Sequence, residues 1–74
     1  MKYKNFKFDI FGDTYKVIYK DKVFDGDTYL LGQTQTAKNI IYISTKDEDD
    51  KELPDNVILT TLYHEIFHAI LFAG

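Results

Sequence analysis

The sequence predicts an α+β domain: an antiparallel sheet of about four strands, built from two hairpins, followed by one long C-terminal helix. Three observations carry this. Apolar and polar residues alternate through the early segments with the period of a half-buried strand. Turn residues separate the β-rich runs at hairpin spacing. The last segment, "VILTTLYHEIFHAILFA", contains no breaker and is too long for a strand.

The first hairpin is "FKFDIFGDTYKVIYK". Phe6, Phe8 and Ile10 alternate with Lys7 and Asp9, and Tyr15, Val17 and Tyr19 alternate with Lys16, Ile18 and Lys20. Gly12-Asp13 fits a two-residue turn with glycine first, where positive φ is required. Asp21 to Asp27 reads as a connection with a turn at Asp25-Gly26-Asp27. The second hairpin joins "TYLLGQTQ" to "NIIYIS" through Thr36 to Asn39, with Ile41 and Ile43 on one face and Ile40, Tyr42 and Ser44 on the other. Gly32, inside a strand pattern, marks a bulge or a close backbone approach. "TKDEDDKELPDN" is a charged loop, since Asp47, Glu48, Asp49 and Asp50 cannot pack side by side in a core. Pro54 lies near the helix start, Asp55 or Asn56 is the expected cap, and Gly74 stands where the helix would stop.

With 74 residues the chain is one domain, residues 1–74. A chain this short seldom buries a comfortable core without a disulfide, a metal or a partner. Cysteine is absent, which excludes the first. The 45% apolar and 16% aromatic content argues against disorder. The start, "MKYKNFKFDIFGD", lacks an apolar run of signal-peptide length, and no segment reads as a membrane span, so a cytoplasmic location is expected. The net charge of −3 is unevenly spread: residues 1–46 hold eight lysines against five acids, and residues 47–74 one lysine against seven. There is no arginine. Base readout and bidentate phosphate contacts lean on arginine, so nucleic acid is not an expected partner. Lys2, Lys4 and Lys7 read instead as solvated lysines that discourage edge pairing.

Chemistry concentrates in the helix. With His64 at the origin of a helical wheel, His68 falls at about 40°, Thr61 at about 60°, Glu65 at about 100° and Thr60 at about −40°. These polar residues form one stripe. Leu62, Ile66, Ala69 and Ala73 lie opposite, and Leu59, Ile70, Tyr63 and Phe67 continue the apolar surface, so a helix buried nearly all round is expected. Imidazoles at i and i+4 are neighbours on a helix and can converge on one tetrahedral zinc at about 2.0–2.1 Å each. Glu65 follows the first of them and projects beside the metal without having to bind it. From there a carboxylate can take a proton from water and pass it to a leaving group. The competing reading is two core histidines hydrogen-bonded to backbone or threonine.

From "VILTTLYHEIFHAI" onward the chain resembles a zincin-type metallopeptidase, and more closely the small zinc peptidases of phages and mobile elements near the ImmA/IrrE family. The resembling pattern is a strand pair ending in "IIYIS", a loop, and a T-L-x-H-E-x-x-H-A helix, spanning about Gly32 to Gly74. "HEIFHA" is its specific part. The resemblance implies Zn²⁺ ligation by His64 and His68, Glu65 as general base and proton shuttle, and endopeptidase cleavage of a peptide or protein substrate. It also implies that the strand of Ile40, Ile41, Tyr42, Ile43 and Ser44 is the edge along which an extended peptide aligns.

Two departures qualify it. The metzincin extension H-E-x-x-H-x-x-G-x-x-H fails, because Leu71 stands in the glycine position and Gly74 in that of the third histidine. The family's usual third ligand, an acidic residue on a later helix, is also not in this sequence. The expectation is therefore the N-terminal part of a longer family pattern, with a third ligand from a following segment, from another copy, or from Asp47–Asp50 folding back. The alternative is a non-catalytic metal-binding or interaction module derived from the same fold. Self-association is expected through the flank of Tyr63, Phe67, Ile70 and Phe72, unless a segment beyond Gly74 covers it.

Overall fold

The computed structural model describes residues 2–73. The helix stop expected at Gly74 lies outside the described residues. Six strands precede one helix: β1 (Phe6–Ile10), β2 (Asp13–Lys20), β3 (Val23–Asp25), β4 (Thr28–Leu30), β5 (Gly32–Gln35), β6 (Ile40–Ser44) and α1 (Asp55–Ala73). Four of them form a sheet in the order β1-β2-β6-β5, and β3 and β4 make a separate two-stranded ribbon. The architecture is α+β, with the first expected hairpin present as β1–β2 and the second as β5–β6, although "TYLLGQTQ" is split at Leu31, so that only Gly32–Gln35 pairs with β6 and Thr28–Leu30 pairs with β3.

Four local expectations are corrected. The first turn is centred on Phe11-Gly12, not Gly12-Asp13, because Ile10 pairs with Asp13. Both central residues have positive φ, 48° and 86°, as a type I′ turn requires. The expected connection at Asp21–Asp27 contains a strand: β3 pairs with β4 around Gly26-Asp27. Hairpins β1–β2 and β5–β6 are joined by a parallel pairing, Val17 opposite Ile41 and Tyr19 opposite Ile43. Finally, neither Asp55 nor Asn56 caps α1. The Pro54 carbonyl accepts from the Val57 and Ile58 amides at 3.0 and 3.2 Å. Asp55 lies inside the first turn, where Lys2 and the Tyr3 hydroxyl hold its carboxylate.

One face of the sheet carries Ile10, Tyr15, Val17, Ile41 and Ile43, all buried. Helix α1 lies on it, against β5 and β6 and reaching β1. Ile58, Leu62 and Ala69 close the core from the helix side. The other face carries Lys7 opposite Lys16 and Ile18 opposite Tyr42, and the Lys20 ammonium sits 4.6 Å over the Tyr42 ring. The ribbon is fastened to the end of β6. The Val23 amide donates to Ser44 Oγ at 2.9 Å, and Ser44 Oγ donates to the Leu30 carbonyl at 2.7 Å. These bonds satisfy a buried hydroxyl and fix where the ribbon stands.

The expectation that α1 is buried nearly all round is overturned. Only one face is covered, because a single sheet layer lies against it. Leu59, Tyr63, Phe67, Ile70, Leu71 and Phe72 are exposed. Among the described residues no helix is long and apolar enough to cross a membrane.

Candidate metal centre

The close fit of α1 to β5 builds the site. Gly32 faces the helix where the two elements nearly touch. A Cβ there would lie 2.7 Å from Thr61 Cγ2, 3.0 Å from Glu65 Cγ and 3.2 Å from the Tyr42 carbonyl oxygen. Of the two readings of Gly32, the close approach is therefore the one realised. Thr34, two residues on, points the same way. Its hydroxyl donates to Glu65 Oε1 at 2.8 Å and lies 3.2 Å from the Glu65 carbonyl oxygen. A carboxylate 6% exposed is thus housed where glycine leaves space and threonine supplies a donor.

His64 and His68 sit at the margin of this contact. Their ring centroids are 4.3 Å apart, with the planes at 58°. Glu65 Oε1 is 3.9 Å from His68 Nδ1. Among the described residues, His64, Glu65 and His68 form the one group of His, Cys, Asp and Glu whose donor atoms can hold a metal ion, all within 4.8 Å of one another. Imidazole nitrogen and carboxylate oxygen are ligands that several divalent metals accept. The acidic loop does not reach it. Asp47 accepts from its own loop, from the Asp49 and Lys51 amides, and Asp50 pairs with Lys22 at 2.6 Å. That ion pair holds the Asp50 carboxyl below its ordinary value and pushes the Lys22 ammonium up.

An open cleft of about 530 Å³ runs beside the group. Tyr29 to Gly32 line one side, and Thr60, Thr61, His64 and Glu65 the other. The ribbon sets the first wall, since the Tyr29 hydroxyl donates to the Lys46 carbonyl at 2.6 Å.

The expected substrate edge is corrected. Strand β6, residues Ile40, Ile41, Tyr42, Ile43 and Ser44, is interior, with β2 on one side and β5 on the other. Its backbone is already paired. The edge next to the helix is β5, Gly32–Gln35. Thr34, which holds the Glu65 carboxylate, is not among the expected site residues, although it shares a strand face with Gly32, the glycine that marks a close approach or a bulge.

Compared with protein-family models, curated proteins and solved structures, the chain matches none.

Proposed function

We propose that the chain binds a divalent metal, zinc, and hydrolyses peptide bonds. The observation that carries this is the convergence of His64, His68 and a buried, hydrogen-bonded Glu65 beside an open cleft and a free sheet edge. His64 and His68 would hold the ion. When bound, zinc polarises a carbonyl and lowers the pKa of water. Glu65 takes up the proton and passes it on. Thr34 holds Oε1 and so fixes the orientation of the carboxylate. The outer edge of β5 offers unpaired backbone groups to an extended peptide or protein segment, which would align as an added strand.

The alternative is a metal site without catalysis. It is favoured by the 3.9 Å separation of Glu65 Oε1 and His68 Nδ1, which lets the carboxylate serve as a third ligand. One helix position argues the other way: adjacent residues are about 100° apart on the cylinder, so His64 and Glu65 do not face one point squarely.

The deciding experiment is zinc titration of chelator-stripped protein, with hydrolysis of an unfolded protein substrate measured alongside. Binding of one zinc is expected, with loss in His64→Ala and in His68→Ala. Glu65→Gln should keep the metal and lower turnover by about 10²–10⁴-fold, the usual contribution of a general base. Loss of zinc in Glu65→Gln would instead make Glu65 a ligand and select the non-catalytic reading. A protein whose melting temperature ignores both zinc and chelator would end the metal proposal altogether.

A further inference from the structure

The exposed side of α1 is not a scatter of apolar residues. Leu59, Tyr63, Phe67 and Leu71 follow one another at intervals of four, with Ile70 beside them. Tyr63 is 62% exposed and Phe67 58%. Single exposed apolar side chains are ordinary, but a contiguous patch above about 300–600 Å² is uncommon on a monomer. Tyr63 and Phe67 leave roughly 100–150 Å² each in water, given about 150–250 Å² for a whole aromatic side chain, and the smaller Leu59, Ile70 and Leu71, each about half exposed, bring the total to about 500 Å². With Thr60 and the half-buried Ile66 at its rim, the face comes to the roughly 600 Å² per partner of the smallest stable protein interfaces.

We propose that this face is a two-fold interface with a second copy of the chain. Three features select a copy over another partner. The four residues make an unbroken i, i+4 ridge. The commonest helix packing, at about −50°, interlocks that ridge on one helix with the same ridge on the other. A second copy supplies it by construction, and a two-fold interface brings the same patch from both sides. Between Val57 and Phe72 the helix has no lysine or arginine, and its one acid, Glu65, is buried on the opposite side. The charged groups bordering the ridge are Lys2 and Asp55 beside Leu59, and these neutralise each other as an ion pair, so the face offers a charged partner no net charge and two copies little to repel.

The test is sedimentation equilibrium from about 5 to 200 μM, run on the protein as purified, with zinc and again with chelator, so that the outcome is read apart from the metal proposal. A species of twice 8.7 kDa is expected. Tyr63→Glu and Phe67→Glu, both at exposed positions, should keep the circular dichroism spectrum and weaken dimerisation at least about tenfold each. Phe11→Asn removes a similarly exposed aromatic from the turn of the first hairpin and should leave the mass unchanged. A chain that stays at 8.7 kDa throughout overturns the proposal. So does a dimer that survives both glutamates, or an assembly that grows beyond two copies.

Discussion

The two sides of α1 invert the usual rule of placement. The inner side carries Ile58, Leu62 and Ala69 but also a buried glutamate, and the outer side carries two aromatics in water. Apolarity alone did not choose which side went in. The sheet did, by supplying Gly32 and Thr34 at the one place where a carboxylate could be housed. The energetic weight of the fold thus sits on a few contacts of the inner side, and the chemistry sits on the seam between the two.

Truncating one leucine on each side tests this most directly. Leu62→Ala should cost about 3 kcal/mol, through lost burial and the cavity left behind. Leu59→Ala, measured where the chain is monomeric, should change stability by less than about 0.5 kcal/mol, since alanine is at least as good a helix former and little packing is lost. Urea unfolding gives both numbers. Comparable losses would mean that the outer side is already covered in the monomer.

Gly32→Ala sharpens the comparison at the seam. The added methyl meets Thr61 and Glu65 side chains at 2.7 and 3.0 Å and the Tyr42 carbonyl at 3.2 Å. The Tyr42 carbonyl belongs to β6 and cannot give way, and the β-branched Thr61 side chain is held by its hydroxyl's bond to the Val57 carbonyl at 2.8 Å, so the strain falls on the seam and α1 must lift from β5. A loss of about 1–3 kcal/mol is expected from such overpacking. Glu65 should become more exposed, and the Thr34 contact should lengthen. An alanine variant as stable as the parent would mean that the approach at Gly32 is not a constraint on the helix.

What could be read from the chain follows the range of each interaction. The hairpins and the long helix rest on residues near one another in sequence, and so does the His64–Glu65–His68 stripe. Gly32, by contrast, signalled a bulge or a close approach, and only its distant neighbours Thr61 and Glu65 decide for the approach. The turn register was undecidable from alternation. Centring the turn on Gly12-Asp13 instead of Phe11-Gly12 slides the pairing by two residues and keeps every side chain on the same face. Phenylalanine at positive φ then made the wrong choice look better. The identity of the edge strand was out of reach for a different reason. It depends on Lys16–Lys20 pairing in parallel with Ile40–Ser44, and no local pattern in either segment reports that. The wheel failed on burial because apolar residues surround α1, so only the partner surface could break the tie.

The smallest effect lies where the start of the helix meets the N-terminal arm. Tyr3 packs against Tyr19 with ring centroids 5.2 Å apart and adjoins the core. Lys2 and Tyr3 of this arm border a hollow shared by Ile58 and Leu62 of the inner side and Leu59 of the outer. Lys2 donates to both Asp55 oxygens at 2.7 and 2.8 Å, and the Tyr3 hydroxyl donates to one of them. Lys2 first, then Tyr3, holds the Asp55 carboxyl below its ordinary value of 3.8. A depressed acid contributes stability above its unfolded value and loses it as pH falls through the folded one. The tie should therefore weaken below about pH 4. The same bonds to Asp55 raise Lys2 above 10.5 and Tyr3 above 10.0. Their contribution is complete below those unfolded values and fades as pH rises through the folded ones. Asp55→Asn should flatten both limbs of a melting-temperature profile taken from pH 2 to 11 and leave the middle little changed, because exposed ion pairs contribute little there. An acid limb identical to the parent's would place the acid sensitivity elsewhere, and the arm would then be held by its tyrosine packing alone.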